Sequence, residues 1–177
     1  MDTWTTQLEF AVENDMKIGR LARALLPLFM SILATGLAAQ AADNDAPRAV
    51  VKQVLAGLTK AGTNLNNPTY DPCPKLCDPA FSTIMTQMDM LQKEDPTAAY
   101  DYDVFCQCQD YDNQTFSLVS DRMTGTSRYE ATVRGSDKDT KPWKYVLAPV
   151  GGTWRITDVI DESGSVRAGM LRALKGK

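Results

Sequence analysis

Trp143–Lys144–Tyr145–Val146–Leu147–Ala148–Pro149–Val150, then Gly151–Gly152, then Thr153–Trp154–Arg155–Ile156–Thr157–Asp158–Val159–Ile160, is the stretch that decides the fold. Trp143, Tyr145 and Leu147 recur at a period of two, as do Trp154, Ile156, Asp158 and Ile160, which is the pattern of half-buried strands. Two glycines in a row supply positive φ at both central positions of a tight turn, so Lys141–Val150 and Thr153–Asp161 are predicted to form a hairpin. Upstream, Tyr129, Ala131 and Val133 alternate with Arg128, Glu130, Thr132 and Arg134, and Phe116–Val119 reads as a further short strand. Before Tyr102 the period is different. Val50, Val51, Val54, Leu55 and Leu58 form a helical stripe within Arg48–Lys60. Asp78 is a good N-cap, Pro79 suits the first helical position, and Phe81, Ile84, Met85, Met88 and Leu91 mark one apolar face. The methionines fall on that stripe and read as core filler. Asn44–Pro47 reads as a leader and Gly62–Thr69 as a loop, while Ser165–Leu174 fits either a last strand or a short helix. Helices first and an antiparallel meander after them predict an α+β domain.

Composition narrows the function. The chain has 177 residues, 44% hydrophobic and 23% charged, which suits one globular domain plus a processed segment. Nineteen Lys and Arg against 22 Asp and Glu give a net charge of −3, so there is no basic field for nucleic acid and no broad electrostatic attraction to a membrane surface. Zero His excludes Ser-His-Asp and Cys-His catalysis, an H-E-x-x-H zinc site and a histidine pH switch.

The N-terminus reads as an address. Lys17, Arg20 and Arg23 precede an apolar run, Ala24–Ala34, and small residues ending in Ala39–Gln40–Ala41. This is the order of a secretory signal peptide, residues 16–41, with cleavage between Ala41 and Ala42. Met1–Asp15 is polar and acidic where such a segment wants positive charge, so residues 1–15 are expected to be an upstream extension and Met16 the start. The remaining single domain, 42–177, carries a net charge of −2, because the first 41 residues hold three cations and four carboxylates. Its predicted location is periplasmic or secreted, with no membrane association after cleavage.

All four cysteines fall in that domain, and an even count in an oxidising compartment predicts two disulfides. In an extended segment Cys106 and Cys108 would lie about 6.6–7 Å apart, too far for an easy mutual bridge. Cross-links between segments are therefore expected, as 73–108 with 77–106 or as 73–106 with 77–108. Zinc is disfavoured because C-x-C is poor knuckle spacing, and no C-x-x-C is present for thiol–disulfide exchange. No metal or cofactor is expected.

The other distinctive stretch, Asp101–Tyr102–Asp103–Val104–Phe105–Cys106–Gln107–Cys108–Gln109–Asp110–Tyr111, sets carboxylates and amides among aromatics just before the sheet. In the hairpin, alternation places Asp158 on the face of Trp154 and Ile156, expected to be inward, and a buried carboxylate needs partners. Together the two strings resemble a family of exported bacterial domains of unknown function with a D-P-F-x-x-x-Q-D-type motif followed by W-x-I-x-D-V. Asp103, Phe105, Gln109 and Asp110 match the first motif, with Val104 in place of Pro. Trp154, Ile156, Asp158 and Val159 match the second, and the likeness spans about Val50–Leu174. The resemblance implies a cystatin-like or nuclear-transport-factor-like cone, with N-terminal helices packed on a curved antiparallel sheet, and some relatives are thought to be immunity proteins.

Asp103, Gln109, Asp110, Asp158 and Tyr102 are thus the candidates for ligand or partner contact. The same side chains also suit structural roles, Gln109 and Asp110 at the loop entering the sheet and Asp158 as a backbone acceptor at a strand end. The leading expectation is an exported, disulfide-stabilised, non-catalytic binding module of immunity or inhibitor type, acting on another secreted or periplasmic protein. It rests on the missing His and the missing nucleophile-plus-base arrangement. A small-molecule pocket is the second reading, with weak acid–base chemistry from Asp158 opposed by Tyr102, Tyr129 or Tyr145. The third is a subunit of an envelope assembly.

Overall fold

The computed structural model describes residues 45–63, 70–98, 102–110 and 113–176. The chain separates into Met1–Asp43 and Asn44–Lys177, and all described residues belong to the second unit. The expected extension, signal segment and cleavage point lie outside the described residues.

The first helix, α1, covers residues 45–63 and so starts before Arg48, within the stretch expected to be a leader. Pro47 is compatible with a first turn, where its missing N–H costs nothing, and Asp45 pairs with Arg48 at 3.7 Å one turn on. Val51, Val54 and Leu58, from the predicted stripe, are fully buried. A single turn, α2 (Cys73–Leu76), precedes α3 (Pro79–Glu94), whose N-cap Asp78 accepts the Phe81 N–H and whose Pro79 sits at the first helical position. Phe81, Ile84, Met88 and Leu91 are the buried face of α3, worth roughly 1.5–3 kcal/mol per fully buried large apolar side chain.

Five antiparallel strands follow in the order β1 (Phe116–Met123), β2 (Tyr129–Gly135), β3 (Trp143–Val150), β4 (Thr153–Asp161) and β5 (Gly164–Ser165), forming a curved sheet that does not close. The β3–β4 hairpin turns at Gly151 (φ 58°) and Gly152 (φ 80°), the backbone that two glycines allow. β1 runs past the expected Val119. A bulge between Leu118 and Ser120 restores its register, so that Asp121 and Met123 pair with Ala131 and Tyr129. The C-terminus uses both expected forms, the short β5 and then α4 (Val166–Lys175), which Ser165 caps through the Ala168 N–H. The fold is α+β, with Val51, Leu58 and Phe81 from the helices sharing one core with Tyr129, Tyr145 and Ile156 from the sheet. Edge-to-face and tilted contacts run from Phe81 through Phe105, Tyr145 and Trp143 to Phe116, with centroids 6.3–6.5 Å apart. Phe105 joins the loop before the sheet to this row.

Two expectations are corrected. Asp158 does not share the face of Ile156. Leu147 pairs with Ile156 but Val146 with Asp158, so Thr157 is an extra residue and the alternation shifts behind it. Val159 becomes the next fully buried position after Ile156, and Asp158 turns to the other face.

The disulfides also differ, closing within each segment as Cys73–Cys77 and Cys106–Cys108. Cys106–Gln107–Cys108 is not extended. Gln107 adopts φ 53°, and the loop is closed by Asp103 N–H to Cys108 C=O (2.9 Å) and Gln107 N–H to Asp103 C=O (2.8 Å). That turn draws the two Cα atoms to 5.2 Å, within bridging range. At the other pair, α2 ends after one turn and Cys77 becomes extended (φ −86°, ψ 160°), which leaves the Cα atoms 4.5 Å apart.

Candidate functional site

The expected site residues do not converge. Asp103 Oδ1 accepts the N–H groups of Phe105 (2.7 Å) and Cys106 (3.1 Å), so its carboxylate organises the loop that carries the second disulfide. The Tyr102 hydroxyl donates to Asp161 at 2.9 Å. Gln109 and Asp110 are exposed, and the Asp110 carbonyl accepts from Gln114 Nε2 at 3.0 Å. Asp158 is bound at the start of α4, where it accepts the Ser165 hydroxyl (2.6 Å) and the Arg167 N–H (3.0 Å).

Among the bonds of the described residues, none joins Asp158 to a tyrosine as the acid–base reading expected. Tyr102 bonds Asp161, the Tyr129 hydroxyl bonds Asp121, and the buried Tyr145 hydroxyl donates to the Phe105 carbonyl at 2.5 Å. Burial pushes the Tyr129 and Tyr145 hydroxyls well above the usual tyrosine range. Asp121 also receives Arg48 Nε at 2.6 Å and Arg48 Nη2 at 3.2 Å. That guanidinium, opposed by partial burial, holds the Asp121 carboxyl below the ordinary carboxylate value.

A second polar node joins three elements. Arg167 Nη1 donates to Asp78 Oδ2 (3.0 Å) and to the Thr157 carbonyl (2.8 Å). The extra residue of the β4 bulge thereby gains a partner for its carbonyl. Arg167 stands in the first turn of α4, an unfavourable place for a cation beside the positive helix end, and Asp158 and Asp78 offset it. These bonds pin the start of α3, the start of α4 and the middle of β4 to one another. The node is structural.

A concavity with titratable side chains in its walls lies elsewhere. It is a groove of about 450 Å³ whose walls include Tyr70, Asp71, Met85, Thr86, Asp89, Asp103 and Phe105. One side of α3 supplies Met85, Thr86 and Asp89, because positions three and four apart share a face. Asp71 is fixed by accepting the Cys73 N–H at 2.8 Å, and Ser82 donates to the Cys73 carbonyl at 2.9 Å, so the first disulfide loop is tied to the groove. Tyr70 lies against Gly57 of α1 so closely that a Cβ there would meet its ring at 2.1 Å. Partial burial, then the neighbouring Asp71 carboxylate, raises the Tyr70 hydroxyl above its usual value. The Asp89 carboxyl is raised in the same way, by lost hydration first and Asp71 second, with Lys93 opposing. Three acidic residues thus line a groove that also has apolar walls. Among the described residues no group of acidic or thiol side chains could hold a metal ion.

Of the sequence candidates, only Asp103 reaches this groove. Sequence reasoning missed Tyr70, Asp71 and Asp89. The available signals were the Tyr-Asp pair directly before Cys73 and a lone carboxylate one turn beyond Met85 on the polar border of the α3 stripe. No family model matches this chain, and no curated protein matches it.

Proposed function

We propose that this protein is a non-catalytic, exported binding module whose acidic groove receives a basic side chain from a secreted or periplasmic partner protein, in an immunity- or inhibitor-type role. One observation carries the reading: Asp71 and Asp89 line the same groove, and repulsion from Asp71 adds to the partial loss of hydration that makes Asp89 harder to ionise than an ordinary aspartate. A cation placed between them relieves that repulsion. Tyr70, Met85 and Phe105 offer the apolar wall against which the aliphatic stem of Lys or Arg packs while its head group meets the carboxylates. The tyrosine–aspartate geometry needed for acid–base chemistry at Asp158 is lacking, which favours binding over catalysis at that residue. A small organic cation is the second reading, because about 450 Å³ falls within the range of small-molecule sites.

The test is calorimetric titration of the full chain with a Lys/Arg-bearing peptide, using D71N/D89N as the groove variant. D137N/D139N removes the same charge from exposed positions elsewhere. The expected result is a loss of about tenfold or more in affinity for the groove variant, equivalent to about 1.4 kcal/mol, and little change for the control. Equal losses in both would mean that net charge alone attracts the peptide, and the reading would fail. Arginine methyl ester as a competitor separates the two occupants: displacement of the peptide at similar concentration favours the small cation.

A further inference from the structure

The edge of the sheet offers a second surface, independent of the acidic groove. Among the described residues β1 pairs with β2 alone, so no described strand covers the other edge of Phe116–Met123. Beside the first residues of β1, between that strand and α1, lies a shallow, open groove of about 660 Å³ with an apolar floor of Leu55, Ala56, Phe116 and Leu118. Lys52 and Lys60, both exposed, stand over it from α1; neither forms an ion pair among the described residues, and Lys52 acts on Asp121 only through space, as a minor contribution beside that of Arg48. Val119, the extra residue of the β1 bulge, is 55% exposed.

We propose that β1 accepts an extended segment of a partner protein as an added strand, with alternate apolar side chains entering the groove and acidic side chains meeting Lys52 and Lys60. Open strand edges bind extended peptides through backbone hydrogen bonds, and side-chain pockets on one face select every second residue. The groove lies on one face of β1 only, which matches a period of two and not the three-to-four spacing of a helix. Charge decides the class of occupant. A second copy of this chain paired antiparallel through β1 would bring Phe116, Leu118 and Met123 to the groove side, and the one carboxylate on that face, Asp121, is already held by Arg48. It therefore lacks the carboxylates that two lysines call for, whereas an acidic–apolar segment supplies them. The bulge at Val119 interrupts the edge and limits the added strand to a short run, which suits a peptide better than a whole sheet.

The probe is a short fluorescent peptide of alternating Val and Glu, read by anisotropy and by amide chemical-shift mapping on the full chain. Shift changes confined to β1 and the adjacent side of α1 are expected. K52E/K60E, which alters only exposed side chains, should weaken binding by about tenfold or more and should accept the corresponding Val–Lys peptide instead. N-methylation of alternate backbone amides in the peptide tests the strand itself without changing the protein, and should weaken binding comparably. Binding that survives N-methylation, shift changes away from β1, or no saturable binding would each overturn the proposal. Self-association through β1 that excludes the peptide would also overturn it, assigning the edge to a second copy. None of these outcomes touches D71N/D89N, so this surface and the acidic groove fail separately.

Discussion

Replacing Asp78 isolates what the polar node between α3, α4 and β4 contributes. The residue is 7% exposed, caps α3 through the Phe81 N–H, and pairs with Arg167 Nη1 at 3.0 Å. Loss of an N-cap costs about 1 kcal/mol. Loss of a hydrogen bond to a charged group costs roughly 1.5–3 kcal/mol, here toward the lower end, because the Arg167 side chain is 29% exposed and keeps the Thr157 carbonyl. D78A should therefore destabilise by about 2–4 kcal/mol. For a domain of this size that lowers Tm by about 10 °C. D78N keeps a competent cap and removes only the charge, so it should cost about 1–2 kcal/mol. R167M should cost a similar amount, and the D78N/R167M double variant should show a coupling of about 1 kcal/mol. Urea unfolding in oxidising buffer, followed by the tryptophans and by far-UV circular dichroism, gives all four values. A D78A cost below about 0.5 kcal/mol, or D78N as damaging as D78A, would refute the division of labour between cap and ion pair.

Four further outcomes are expected. Proteolysis under non-reducing conditions followed by mass mapping should recover Cys73 with Cys77 and Cys106 with Cys108, and a fragment joining the two segments would contradict the fold. Because each bridge closes a very short loop, removing one pair by Cys→Ala should cost about 2 kcal/mol, against about 3–4 for a 30-residue loop, as measured by denaturant midpoint. G57A should fail to deliver the roughly 1 kcal/mol that Ala gains over Gly within a helix, since the new Cβ would displace Tyr70; a full gain in urea unfolding would mean that the ring lies elsewhere. The last concerns pH. Asp121 has its folded pKa below the unfolded value of 3.8, so its contribution is fully present above that value and is lost as pH falls through the folded pKa; D121N should flatten stability against pH in that acid range. Asp89 is shifted the other way, so affinity for a basic peptide should begin to fall at a pH still above 3.8, a step absent in D89N.

Much of the fold is legible residue by residue. Asp78–Pro79 marks the start of α3 because a side-chain acceptor and a ring-fixed φ suit the first turn whatever packs on it. Gly151–Gly152 marks the hairpin because few residue pairs tolerate two consecutive positive φ values. The period-two apolar residues of β2 and β3 all become core. Legibility ends where one residue changes the count. Thr157 looks like any outward strand position, and only pairing with β3 reveals that it is extra, which reverses the side on which Asp158 stands. Gln107 is similar: nothing in its type announces φ 53°, yet that angle turns an unbridgeable C-x-C into a bridge. The candidate groove was the least legible feature. The Tyr70–Asp71 pair, Asp89 and Asp103 come from three separate segments, and no spacing rule links them.

The sequence by itself determined the α+β class, the cap of α3, the hairpin turn and the core-facing residues of β2 and β3, since each depends on local backbone preference or on a periodicity within one element. It also removed histidine chemistry outright, because a missing residue type needs no geometry. Tertiary structure alone decided which cysteines meet, which partner each carboxylate takes, and which surfaces remain open. Those outcomes depend on distances between elements, and a single bulge or left-handed residue shifts them by several ångströms without leaving a mark in the pattern of apolar and polar residues.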